Sequence, residues 1–165
     1  MKKKLWIFIA VLLVAFSVVL SVPVQAEPSE NVSGLWRYQP FILDMQVIHG
    51  TTFLKTYENA TWAGTFSGTS TEDGKVVIDP SGAWTFRGIV HFEGSVNGKS
   101  GRMTMYASGS RPDGFSDWQG TWEIKYGTGE LADLHGQGDW WGPGAPGPEQ
   151  WGDIYYSGNI SFGSD

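Results

Sequence analysis

Cysteine is absent from all 165 residues. That excludes disulfides, thiolate metal sites and lipid attachment through an N-terminal cysteine, so an exported chain of this composition must be held together by its core alone. Cationic residues are also scarce: 11 Lys and Arg stand against 17 Asp and Glu, giving a formal charge of −6. Acidity of this order argues against nucleic acid or an anionic lipid surface as a partner. No GxSxG elbow, phosphate-cradling glycine loop or dinucleotide fingerprint occurs, which sets aside the commonest hydrolase and nucleotide-enzyme classes. His49, His91 and His135 are isolated, without HExxH spacing, so no metal and no other cofactor is expected. Scattered carboxylates do not establish a glycosidase pair. Beyond residue 26 there is no sustained helical period.

The amino terminus is a targeting segment. Lys2, Lys3 and Lys4 precede the apolar run Leu5 to Phe16, which weakens toward Val22; Pro23 then breaks the helix and Val24-Gln25-Ala26 offers small residues to a signal peptidase. The expectation is a signal peptide over 1–26, cleaved after Ala26, and a secreted chain starting at Glu27. The alternative is an uncleaved membrane anchor, because the run is near the lower limit of about 17 apolar residues for a span. Losing the three lysines makes the chain three charges more acidic, and no membrane association is expected after cleavage.

The chain beyond residue 26 reads as one domain, with 27–40 as a lead-in and 41–165 as the folded unit, large enough to bury roughly two-thirds of its unfolded surface. Eight of the nine Trp, all but Trp6, lie here, and aromatics at this density need burial or a ligand. Period two recurs: Trp84, Phe86, Val90 and Phe92 oppose Thr85, Arg87, His91 and Glu93. Likewise Trp118, Trp122, Ile124 and Tyr126 oppose Gln119, Thr121, Glu123 and Lys125. Ile154, Tyr156, Ile160 and Phe162 oppose Ser157, Asn159 and Ser161. Trp62 with Phe66, Met103 with Met105, and Phe41, Leu43, Met45 and Val47 extend the pattern.

Asp73-Gly74 and Asn97-Gly98 suit type I′ hairpin turns, and Pro112-Asp113-Gly114 suits a further turn. Eight or so strands joined by hairpins favour an all-β, mostly up-and-down antiparallel barrel, which abolishes exposed edges. A barrel of eight strands is either filled by its own side chains or holds one small ligand. The glycines of Gly127 to Gly138 allow a tight corner, with Leu131 and Leu134 able to plug one barrel end. Trp140 to Trp151, rich in Pro and Gly, is expected to be a loop.

Phe92-Glu93-Gly94-Ser95-Val96-Asn97-Gly98-Lys99-Ser100-Gly101, then Gly120-Thr121-Trp122, then Gly127-Thr128-Gly129-Glu130-Leu131 with Leu134 and Gly136-Gln137-Gly138 carry a family resemblance. The chain resembles the bacterial family known as domain of unknown function 3224, with a looser fit over Thr61 to Gly68. That family is similar in architecture to the allene oxide cyclase barrel, so the resemblance implies a calycin-like eight-stranded fold. It implies no activity, and no catalytic residue of the cyclases matches a position here.

Three functions remain open. The favoured one is a small apolar ligand held between Trp62, Phe66, Trp84, Phe86, Phe92, Met103, Met105, Trp118 and Trp122. The second is a cofactor-free cyclase or isomerase, for which His91, Glu93, Glu130 and His135 are the acid–base candidates, although the alternation places His91 and Glu93 on the solvated strand face. The third is a glycan or protein interaction module using exposed Trp. Trp141 and Trp151 either flank a loop covering one barrel mouth, present indole faces to a ligand, or pin the loop by packing. Oligomeric state is not legible.

Overall fold

The computed structural model of the chain describes residues 28–163; the expected signal segment over 1–26 lies outside them. Eight strands follow one another: β1 Glu30–Ile48, β2 Thr51–Gly64, β3 Phe66–Ile78, β4 Trp84–Val96, β5 Lys99–Arg111, β6 Trp118–Gly129, β7 Leu134–Gly144 and β8 Gly152–Phe162. Each pairs antiparallel with the next, and β1 pairs with β8, so the sheet closes into an up-and-down barrel. The stretch read as a lead-in therefore supplies, from Glu30, the first half of β1.

The alternation places the expected rows inside. Phe66, Phe92, Val96, Met103, Met105, Trp122, Tyr156 and Ile160 are buried in a common core with Trp36, Trp62, Trp118 and Trp140. Rings meet at tilted or stacked angles, Trp36 and Trp62 with centroids 4.7 Å apart and Phe66 and Tyr156 at 5.0 Å. Such pairs contribute about 0.5–1.5 kcal/mol each beyond burial. Several polar groups inside find partners: Trp62 Nε1 donates to Ser70 Oγ at 2.8 Å, Trp140 Nε1 to the Thr121 carbonyl at 3.1 Å, and the Phe66 amide to Tyr156 Oη at 2.9 Å. Leu131, in the turn between β6 and β7, and Leu134, which opens β7, are buried at one end.

Four sequence expectations are corrected. Asp73-Gly74 is no turn: β3 runs through it, Gly74 lies opposite Gly88, and Phe86 and Thr56 occupy the space its side chain would need. The hairpin falls instead at Gly64-Thr65, which splits Trp62 and Phe66 between β2 and β3; Gly64 holds φ +116° there. Two bulges break the simple alternation. In β6 the register skips Lys125, which turns Tyr126 outward to 60 % exposure. In β1 it skips Leu43, so that Phe41 pairs with Tyr57 on the outer side, whereas Met45 and Val47 share the inner side of Leu54. Finally, the first part of the expected Trp140–Trp151 loop is strand: β7 continues to Gly144 and accommodates Pro143 at a register shift, leaving 145–151 as the loop. Asn97-Gly98 does turn with both φ values positive, and Asp113 anchors the β5–β6 loop by accepting from the Phe115 and Ser116 amides.

Close approach requires glycine at Gly109 and Gly120, which face each other beneath the Trp140 ring. Gly120→Ala would press a β-carbon against that ring and the Ser108 carbonyl, and is expected to cost about 1–3 kcal/mol. Phe115→Ala, on a side chain 98 % exposed, should shift stability by less than about 0.5 kcal/mol. Urea unfolding of both variants checks this.

Candidate functional site

The two ends of the barrel differ. The end formed by the β2–β3, β4–β5 and β6–β7 turns is closed by buried Phe66, Val96, Leu131 and Leu134. At the opposite end β1 and β2 project as a hairpin, and the 145–151 loop bends across the opening. Its Glu149 amide donates to the Pro40 carbonyl at 2.7 Å, and its Ala145 amide donates to Tyr38 Oη at 2.9 Å. Beneath this loop lies a cavity of ≈ 150 Å³ lined by Ile42, Leu54, Trp84, Arg111, Trp118 and Pro146 to Pro148. A deeper chamber of ≈ 50 Å³ is walled by Trp36, Phe86, Trp118, Trp140 and Ile154; Tyr38, Glu58, Val76 and Trp118 line both spaces.

Two carboxylic acids enter this aromatic chamber. Glu58 on β2 and Glu72 on β3 are direct cross-strand partners, and both point inward because Trp62 and Phe66, an even number of residues away, do so too. Glu72 is 6 % exposed, and its Oε1 has no hydrogen-bond partner among the described residues; neither does Oγ1 of neighbouring Thr56. Gly88 makes room for it, since a β-carbon at 88 would fall on Glu72 Oε1. Burial pushes the Glu58 carboxyl up to about 8. Burial also raises Glu72 well above the carboxylate range, and the charges of Glu58 and Asp73 push it further. Tyr38 is raised by burial and by the nearby Glu58 charge. At the mouth, the Arg111 guanidinium lies 4.1 Å from the ring centroid of Trp84 and 4.8 Å from that of Trp118; its Nε is buried and unpartnered, and burial lowers its pKa.

The residues singled out from sequence divide in space. Trp84, Phe86 and Trp118 line the two chambers, whereas Trp62, Phe66, Phe92, Met103, Met105 and Trp122 fill the rest of the lumen. His91 and Glu93 are exposed on the outer face of β4; His91 Nδ1 lies 3.5 Å from Thr104 Oγ1, and Glu93 accepts from Arg102 at 3.1 Å. Glu130 is exposed in the β6–β7 turn, where its carboxylate accepts the Ser100 amide at 2.8 Å. His135 pairs with Ser161 away from the lumen, and His49 sits in the β1–β2 turn at φ 49°. Thus none of the four acid–base candidates reaches the interior, while Glu58 and Glu72 do. Trp141 stacks on Tyr155 outside the barrel, centroids 6.3 Å apart. Trp151 borders a wide outer groove of ≈ 820 Å³ beside His91, Thr104 and Tyr126. That groove is larger than the lumenal chambers, but its charged groups are solvated or paired with one another. It holds none of the buried unsatisfied atoms that the lumen does.

A carboxyl whose folded value is raised contributes stability in full below the unfolded carboxyl value of about 4.3, and that contribution fades as pH climbs toward its folded value. Asp79, Asp113 and Asp153, all lowered by hydrogen bonds, act oppositely and lose their contribution in acid. Stability should therefore peak between about pH 4 and 5 and decline toward pH 8 by up to about 1.4 kcal/mol per pH unit for each raised acid. Glu72→Gln should flatten the decline and raise stability at pH 8. Urea titrations across pH 4–9 read both effects; an unchanged slope in Glu72→Gln would contradict the assignment.

A search of curated proteins finds no similar sequence. Among solved structures, a crystal structure of a protein with unknown function from the DUF3224 family of Shewanella oneidensis MR-1 superimposes with a TM-score of 0.66 at 17% identity. The match covers 84% of this chain and 100% of that one, a likeness that shows the fold. The family profile described as "Protein of unknown function (DUF3224)" matches residues 48–141, from the last residue of β1 into β7. With more than half of its length matched, the chain belongs to the DUF3224 family.

Proposed function

We propose that this chain is an exported barrel protein that binds a small molecule, largely apolar in body, in the mouth half of its lumen. The export part of this reading rests on the signal-like residues 1–26. The binding part rests on one observation: a chamber walled by indoles holds a cross-strand pair of carboxyls, Glu58 half-buried and Glu72 buried with an unpartnered oxygen. Burying such groups costs several kcal/mol relative to well-packed apolar residues, so a fold selected only for stability would place apolar side chains at 58 and 72. The exposed inner side of the hairpin, Met45 at 61 % and Val47 at 64 %, extends the apolar wall outward from Leu54 and forms a lip for an entering ligand.

A second reading is supported by the same pair. Two carboxyls whose ionisation is opposed by burial and by each other can hold and pass one proton. A cofactor-free cyclase or isomerase similar to allene oxide cyclase needs that chemistry in its lumen. In this reading Glu58 and Glu72 take the acid–base role, and the outer-face histidines take none.

Mass spectrometry of an organic extract of the purified protein, set against an extract of Leu54→Trp, tests binding. Leu54 lines the mouth cavity, and an indole there would fill it. A compound recovered near one equivalent from the native protein and lost from Leu54→Trp is expected. Equal recovery from both would place the ligand elsewhere; wild-type protein that yields nothing and takes up no added toluene by ligand-observed NMR would sink the proposal.

A further inference from the structure

The mouth pocket has two polar ends of opposite character, and this identifies the class of molecule it takes if, as proposed above, it binds a small ligand. At the inner end, Glu72 Oε1 has no protein partner and Glu58 stands beside it; a cation brought against the pair favours the ionised carboxyl, the displaced proton leaving to solvent. The surrounding faces of Trp36, Trp118 and Trp140 are what an ammonium or alkylated ammonium group prefers over a neutral one. At the outer end, Arg111 brings a permanent positive charge and an unpartnered Nε–H donor. Its guanidinium lies over two indole rings; Asp113 acts on it by charge but forms no ion pair with it within 4 Å, its carboxylate accepting instead from the Phe115 and Ser116 amides. A guanidinium held against two indoles with a donor left over suits a carboxylate. Glu58, Tyr38 and Trp118 line both spaces, so one molecule can reach both ends.

We infer that the pocket binds a small zwitterion, with its ammonium group toward Glu58 and Glu72 inside the aromatic chamber and its carboxylate toward Arg111 at the mouth. A purely apolar ligand would leave both orphaned groups buried against uncharged hydrocarbon, with neither a hydrogen bond nor an opposite charge to offset their desolvation. A cation alone would face Arg111 unneutralised, and an anion alone would leave the carboxyl pair unserved.

Four probes of nearly one shape separate these cases: trimethylglycine, choline, 3,3-dimethylbutanoate and 3,3-dimethylbutan-1-ol, titrated by calorimetry and by tryptophan fluorescence against the full protein. Trimethylglycine is expected to bind tightest, by about tenfold or more over each of the others. Glu72→Gln should erase the preference for trimethylglycine over 3,3-dimethylbutanoate, and Arg111→Met the preference over choline, with thermal melts confirming that both variants fold. If 3,3-dimethylbutan-1-ol matches trimethylglycine, the zwitterion is overturned while the small-molecule pocket stands. If 3,3-dimethylbutanoate or choline matches it, only one polar end is used and the zwitterion is again overturned. If none of the four binds but toluene does, the zwitterion is overturned and the small-molecule pocket stands; if toluene fails as well and the organic extract is empty, this inference and the binding reading on which it rests both fall.

Discussion

Antiparallel pairing of Glu30–Tyr38 with Gly152–Ile160 joins the first strand to the last, and every property of the interior depends on that seam. With the ring closed, no strand of the barrel wall proper lacks a partner on either side, and period-two alternation becomes a division between lumen and solvent. An acid on the inward row cannot then turn to water without leaving its rotamer row. The seam also carries the bidentate contact of Arg37 with Asp153, at 2.8 and 3.0 Å on the solvated face, where it aligns the strands more than it stabilises them.

The interior is built asymmetrically from common materials. Toward the closed end, aromatic and aliphatic side chains interdigitate until Phe66, Leu131 and Val96 have no exposed surface. Toward the mouth, glycines at 74, 88, 109 and 120 thin the wall. Part of the room is taken by the Trp140 ring and part by the Glu72 carboxyl. The same device, a small residue opposite a large one, gives dense packing at one end and a chamber at the other.

Much of this architecture is legible in residue order, because alternation on a closed sheet is a strong signal: the inner rows of β4, β6 and β8 are where the spacing of Trp84, Trp118 and Ile154 places them. Asp73-Gly74 misleads because Asp-Gly permits a turn without requiring one, and here the glycine serves the lumen. The bulges at Leu43 and Lys125 leave no compositional mark, so unbroken alternation misplaces Tyr126 and puts Phe41 on the same face as Met45. Glu58 and Glu72 are hidden in the sequence because carboxylates read as solvent-facing. Carrying the Trp62 row back to Leu54, and the Phe66 row forward to Val76, places both inside.

The barrel has a plugged end, so whatever enters by the mouth leaves by it, past a loop fastened through Ala145 to the hydroxyl of Tyr38. Tyr38 also lines both chambers. A molecule that displaces its ring would loosen the strap, and one that packs against it would tighten the strap. Residence time would then be set less by the sum of contacts than by how often a single phenol releases the loop above it.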